Sequence, residues 1–418
     1  MKIIISTIIF LVSIVAQAQL ADQFYPFKSA GMASVSSAVF SDSLNEGYVF
    51  YDYNFSRYNV FTAEKQSFLS SVYIDGTKDT LVIVIPGIGG TSDSGNTSTV
   101  AKIFKSWNFP VLTFNNPFSF KFALTLSKNG NPGYFPQDSR ELYQHILYQK
   151  GQVENLYRKK FQKVWLVSFS LGTQYSAEIL KISDERKDFE IEKVVMMHPP
   201  VDLVYSIDKY DDLHLKSEEI VGRWRQTTYK RIDLAMNKIF ELTEKLQSAP
   251  RNRVLESFMK NYNLTELEAD VVIARVFRYS LWNTLYVTAL VHEDAEHLFS
   301  SPMTYYRREL RHQEIKKVTL KDYYERMIFP YIGLGETSPN EVLNSLSFKR
   351  NPTQLIQDHR IVMVLSRNDP ISKDTDVDEI SALLGERALV YQNGGHCGLY
   401  WYPLFQEELK KFLSVKSP

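Results

Sequence analysis

The chain has 418 residues, is 44% hydrophobic and 13% aromatic, and carries 48 Lys plus Arg against 48 Asp plus Glu. Such a length and apolar fraction suit a globular protein with one large domain and an insertion, and the balanced charge leaves no basic field to attract nucleic acid. The lone cysteine, Cys397, excludes an internal disulfide and a thiolate zinc cluster.

The first residues place Lys2 before an apolar run from Ile3 to Val15, followed by Ala16-Gln17-Ala18. A run of about 13 residues is short of the roughly 20 that a membrane span needs, and the small-x-small pattern fits a signal-peptidase site. An export signal over 1–18 is therefore expected, with cleavage near Ala18 and a periplasmic or secreted mature chain. Residues 19–67 form an N-terminal extension in which Tyr48, Phe50, Tyr51, Tyr53 and Phe55 crowd together, and it is expected to be irregular or β-rich.

From Phe68 onward the pattern sharpens. FLSSVYI is strand-like, and Thr80–Gly87 is a continuous apolar run stopped by Pro and Gly, as in a strand buried on both faces. A helix is expected near 98–107, a strand over 111–114, a long helix over about 137–161, a strand over 164–169 and a helix from about Leu171. Val194–Pro200 gives a further buried strand. Alternating strands and helices imply a mostly parallel, helix-covered sheet.

Between residues 201 and 352 the alternation gives way to charged amphipathic helical stretches, a domain-sized block of roughly 150 residues. The strand-helix pattern resumes at Arg360–Ser366, continues at Ala388–Gln392 and ends in a helix over about 403–413. The expected organisation is an α/β core from 68–200 and 353–418 bracketing a helical cap over 201–352.

Three places in this frame carry chemistry. Ser168-Phe169-Ser170-Leu171-Gly172 lies where a buried strand runs into a helix, the setting of a nucleophile elbow that lifts the Ser170 hydroxyl above the sheet edge. Asp369 follows strand 360–366 directly, and His396 follows strand 388–392, in the order nucleophile, acid, base. Pro86-Gly87-Ile88-Gly89-Gly90 follows an early strand, so the N–H groups of Ile88 and Leu171 are the expected oxyanion donors. Asp374, Asp376, Asp378 and Asp202 are alternative carboxylates.

Other candidates are weaker. In His292-Glu293-Asp294-Ala295-Glu296-His297 the two imidazoles stand five residues apart and diverge by about 140° around a helix, so no zinc site is expected. Cys397 is read as a packing residue of the histidine loop, and His198 as a structural hydrogen-bonding group.

The stretches PGIGG (86–90), FNN (114–116), SFSLG (168–172), HPPVDL (198–203), DYY (322–324), NDP (368–370) and GGHCGLY (394–400) together resemble the YheT-like branch of the α/β-hydrolases. The resemblance runs in order from about residue 80 to the end. It departs at Asn116-Pro117, where the branch tends to carry Arg-Gly after the asparagine, and at Ser168, which stands for a glycine. It implies the α/β-hydrolase fold, Ser170, Asp369 and His396 as nucleophile, acid and base, and hydrolysis of carboxylic esters or lipids. The expected partner is a small-molecule or lipid ester, with no metal and no organic cofactor; peripheral contact with a membrane and the oligomeric state stay open. The same three residues would also serve a peptidase, an amidase, a thioesterase or an acyltransferase. An exported binding protein on an inactive hydrolase scaffold is the non-catalytic alternative.

Overall fold

The computed structural model describes residues 20–41, 48–50, 68, 70–73, 76–93, 95–223, 264–291, 308–332 and 337–414. The export signal, Tyr51, Tyr53, Phe55, the middle of the cap and the 292–297 stretch lie outside the described residues.

Eight strands form one sheet: β1 (Tyr48–Phe50), β2 (Ser70–Tyr73), β3 (Thr80–Ile85), β4 (Val111–Phe114), β5 (Lys163–Phe169), β6 (Glu190–Met197), β7 (Ile361–Ser366) and β8 (Ala388–Tyr391). Their spatial order is β1-β2-β4-β3-β5-β6-β7-β8. β2 runs antiparallel to both β1 and β4, and every other pairing is parallel. This mostly parallel sheet with an antiparallel edge is the α/β-hydrolase fold.

Residue alternation builds the two faces. In β3, Val82 and Val84 pack into one core with Val167 and Phe169 of β5, while Leu81, Ile83 and Ile85 pack into the other with Val164 and Leu166. Such strands read as unbroken apolar runs because helices cover both sides. On the first face lie α1 (Ala30–Phe40), α2 (Gly95–Ser106) and the C-terminal helix Pro403–Ser414; on the second lie α3 (Phe135–Tyr157) and α4 (Gly172–Arg186). Each fully buried Val or Leu contributes on the order of 1.5–3 kcal/mol.

Between β6 and β7 the chain leaves the sheet as α5 (Leu203–Arg223) and α6 (Glu266–Val291). With the segment around Tyr323–Phe329 these helices enclose a separate apolar core that includes Ile207, Leu281, Leu285 and Met327.

The N-terminal extension, expected to be irregular or β-rich, contributes strand β1 to the sheet and, against that expectation, also forms a helix. Residues 30–40 form α1, whose N-terminus is capped by Ser29 Oγ accepting the Met32 N–H at 3.1 Å. Nine of its eleven residues are buried, so AGMASVSSAVF lacks the one-sided apolar stripe that marks a surface helix. α1 is wedged between the sheet and α6, with Gly31 against Ala269.

Candidate active site

Ser170 closes β5 with φ at 52°, a left-handed conformation rare for a residue with a side chain. Its N–H donates to Met197 O of β6 at 3.0 Å, which holds the elbow, and α4 starts two residues later. A Cβ at position 172 would sit 2.3 Å from the Ile85 carbonyl oxygen, so only glycine lets helix and strand meet there. Ser168, in place of the usual glycine, is buried inside β5 and donates to Val195 O at 3.4 Å.

The loops after β7 and β8 converge on this hydroxyl. His396 Nε2 lies 2.8 Å from Ser170 Oγ, and His396 Nδ1 lies 2.8 Å from Asp369 Oδ2. A carboxylate only accepts, so Nδ1 carries the ring proton and Nε2 is left to accept from the serine. The other Asp369 oxygen, Oδ1, accepts the Ile371 N–H at 3.0 Å and fixes the carboxylate's orientation. All three side chains are buried. Burial works against the charged imidazole, but the Asp369 carboxylate bonded to it outweighs that effect, and the His396 pKa is raised well above its usual value.

The alternative carboxylates are engaged elsewhere. Asp376 pairs with Lys349 Nζ at 2.6 Å, Asp378 pairs with Arg367, and Asp202 accepts the Tyr205 N–H at the start of α5. Asp374 opens the helix Asp374–Leu384.

Leu171 and Ile88 flank Ser170, and among the described residues their N–H groups donate to no backbone acceptor. The Gly87 backbone runs so close to Ser170 that a Cβ there would lie 2.6 Å from the serine Cβ. Two asparagines hold this glycine loop in place. Asn116 Nδ2 donates to Pro86 O at 2.6 Å, its N–H donates to Gly90 O at 2.9 Å, and Asn115 Oδ1 accepts the Ser92 N–H at 2.8 Å. The FNN stretch thus shapes the loop from behind, a role that no local pattern discloses.

His198 sits just behind the site in a left-handed conformation. Ser366 Oγ donates its only proton to Asn393 O at 3.2 Å, so His198 Nε2, at 2.9 Å, is the donor to Ser366. Nδ1 then accepts from Tyr400 O–H at 3.0 Å. Burial lowers its pKa to about 4, and it stays neutral. Cys397 is buried beside His396, also with positive φ.

A further set of contacts comes from the N-terminal segment. Ser34 Oγ of α1 accepts the His396 N–H at 2.7 Å, Tyr25 O–H donates to Gly398 O at 3.0 Å, and Asp22 accepts the N–H groups of Gln392 and Asn393 at 2.6 and 2.8 Å. Asn368 bridges the loops after β7 and β8 by accepting the Gly395 N–H at 2.8 Å.

Two cavities meet at Ser170, one of about 240 Å³ on the His396 side and one of about 50 Å³ on the Leu171 side. Phe277 of α6 lines both; its ring stands edge-on to His396 with centroids 5.9 Å apart and stacks on Tyr210 at 5.6 Å. Among the described residues no cluster of three or more His, Cys, Asp or Glu side chains is placed to hold a metal ion. No described helix is long and apolar enough to cross a membrane.

No protein-family model matches the chain, and no curated protein matches it. Among solved structures it is similar to a carboxyl esterase of the mycorrhizal fungus Tuber melanosporum, at 13% identity and a TM-score of 0.41, over 91% of this chain and 95% of that one. It is also similar to an esterase of Pyrococcus furiosus, at 12% identity and a TM-score of 0.37, over 91% and 93%. A protein of Agrobacterium vitis aligns at 14% identity and a TM-score of 0.27 over 37% of this chain; the chain spans about half, 52%, of that protein's length.

Proposed function

We propose that the protein is a serine hydrolase of carboxylic esters, with Ser170 as nucleophile, His396 as general base and Asp369 as the group that orients the histidine. The observation that carries this is the unbroken hydrogen-bond chain from Ser170 Oγ through the imidazole to Asp369 Oδ2, both links 2.8 Å, on a strained elbow at the sheet edge.

In the first half-reaction Ser170 Oγ bonds to the ester carbonyl carbon while His396 Nε2 takes its proton. The carbonyl oxygen becomes an oxyanion facing the Ile88 and Leu171 N–H groups. The bond to the alcohol oxygen then breaks, and His396 gives that oxygen the proton. Water repeats the cycle on the acyl-enzyme and releases the acid. The chain's own groups supply every proton transfer, so the reading requires no metal or organic cofactor.

Mixing enzyme with a p-nitrophenyl ester tests this. A burst of p-nitrophenol equal to the active-site concentration, followed by slower turnover, is expected when deacylation limits. Peptide amides and thioesters run in parallel measure how far the same serine accepts other acyl donors, and turnover of amides alone contradicts the ester assignment. Export beyond the cytoplasm, which rests on residues 1–18 alone, would set the substrate among esters met in the envelope or outside the cell.

A further inference from the structure

The two cavities at Ser170 are unequal, and the chemistry of the site decides which half of an ester each can take. The leaving alcohol must receive its proton from His396 Nε2, so that oxygen has to lie on the histidine side. The carbonyl oxygen must face Ile88 and Leu171. The remaining substituent, the acyl chain, is left with the space beyond Leu171.

The histidine-side cavity contains His396, Cys397 and Ser170 and is walled by Ser34 and Val35 of α1 and by Val272 and Val276 of α6. The other contains Ser170 and Leu171 but not His396, and it is lined by Leu203, Ile207, Tyr210, Phe118 and Ile371. Its volume is about 50 Å³. The histidine-side cavity, at about 240 Å³, is several times larger.

Resting on the hydrolase reading above, we infer that the substrates are esters in which the acyl group is short and the alcohol bulky and mainly apolar. The smaller cavity is the acyl subsite and the larger is the alcohol subsite. The N-terminal helix α1 is then a wall of the alcohol subsite as well as a support of the histidine loop. Phe277, shared by both cavities, divides acyl from alcohol. A lipid-like component of the substrate belongs on the alcohol side.

The test uses the full chain and two ester series. With p-nitrophenol fixed, kcat/KM is expected to peak between acetyl and butyryl and to fall at least tenfold by octanoyl. With acetyl fixed, kcat/KM is expected to rise at least tenfold from ethyl to octyl acetate, a series in which the chemical leaving ability of the alcohol is nearly constant. Ile207→Ala, which widens the smaller cavity, shifts the acyl optimum to longer chains. Val276→Trp, at a half-exposed position of α6, lowers the octyl-to-ethyl ratio several-fold and supplies an independent readout where Ile207→Ala does not fold. Preference for long acyl chains on small alcohols, or ratios that neither variant moves, overturns the subsite assignment while the esterase reading stands. Absence of turnover across both series overturns the esterase reading and the subsite assignment with it.

Discussion

Ser34 accepts the backbone N–H of His396 at 2.7 Å across 362 residues of sequence, so a helix outside the strand-helix core holds the loop that presents the base. Ser34→Ala leaves that buried N–H without its partner, a loss worth on the order of 1–3 kcal/mol. kcat is expected to fall about tenfold because the imidazole drifts from the serine, and KM is expected to change less for an ester of a small alcohol, which does not reach the wall that Ser34 forms. Steady-state kinetics on an acetyl ester separates the two parameters.

Asp369 keeps the His396 imidazolium favoured against burial. Only the neutral ring accepts the serine proton, so activity rises as pH passes up through the His396 pKa, and the acidic limb of kcat/KM should lie above pH ~6.5, the ordinary histidine value. In Asp369→Asn the burial effect is left to dominate and the histidine pKa falls. The same change misorients the ring and lowers kcat by about 10⁴-fold. NMR titration of the ring protons of both proteins checks the sign: a histidine pKa unchanged by the substitution contradicts this account of the pair.

Asn116 braces the glycine loop through Pro86 O and Gly90 O. In Asn116→Ala the Ile88 N–H loses its fixed aim, and kcat should drop about 10- to 100-fold, somewhat less than the loss on deleting an oxyanion donor outright. The rate of phosphonate labelling, which also develops charge on oxygen, should fall in parallel.

His198 links Tyr400 and Ser366 and stays neutral in the working pH range. His198→Ala removes the acceptor of the buried Tyr400 hydroxyl and one donor to Ser366 Oγ, which keeps its bond to Asn393 O, and opens a void, so a loss of about 2–5 kcal/mol of unfolding free energy is expected in denaturant melts. Because His198 transfers no proton in the proposed cycle, the acidic limb of the pH profile should stay where it is in the folded fraction.

The parallel strands and the three residues at their ends were legible because each depends on short-range rules. A strand buried on both faces has to read as an apolar run, as β3 and β5 do, and an elbow has to put glycine at position 172 where helix and strand touch. The support around the site was not legible. Ser34 and Asp22 act on residues more than 350 positions away, and α1 is buried on nearly all sides and so shows no helical stripe. Phe277 stands in a cap helix whose apolar residues serve its own packing and the cavities alike. Nothing in its local sequence separates it from Leu281 or Leu285, which only pack.

Fluorophosphonate labelling with mapping of the modified peptide tests the central claim most directly. Wild-type protein should take up one phosphonate per chain on Ser170, and Ser170→Ala should take up none and lose about 10⁴-fold or more of its ester turnover. Equal labelling or turnover in the variant, or modification at another serine, would contradict the assignment of Ser170 as the activated nucleophile.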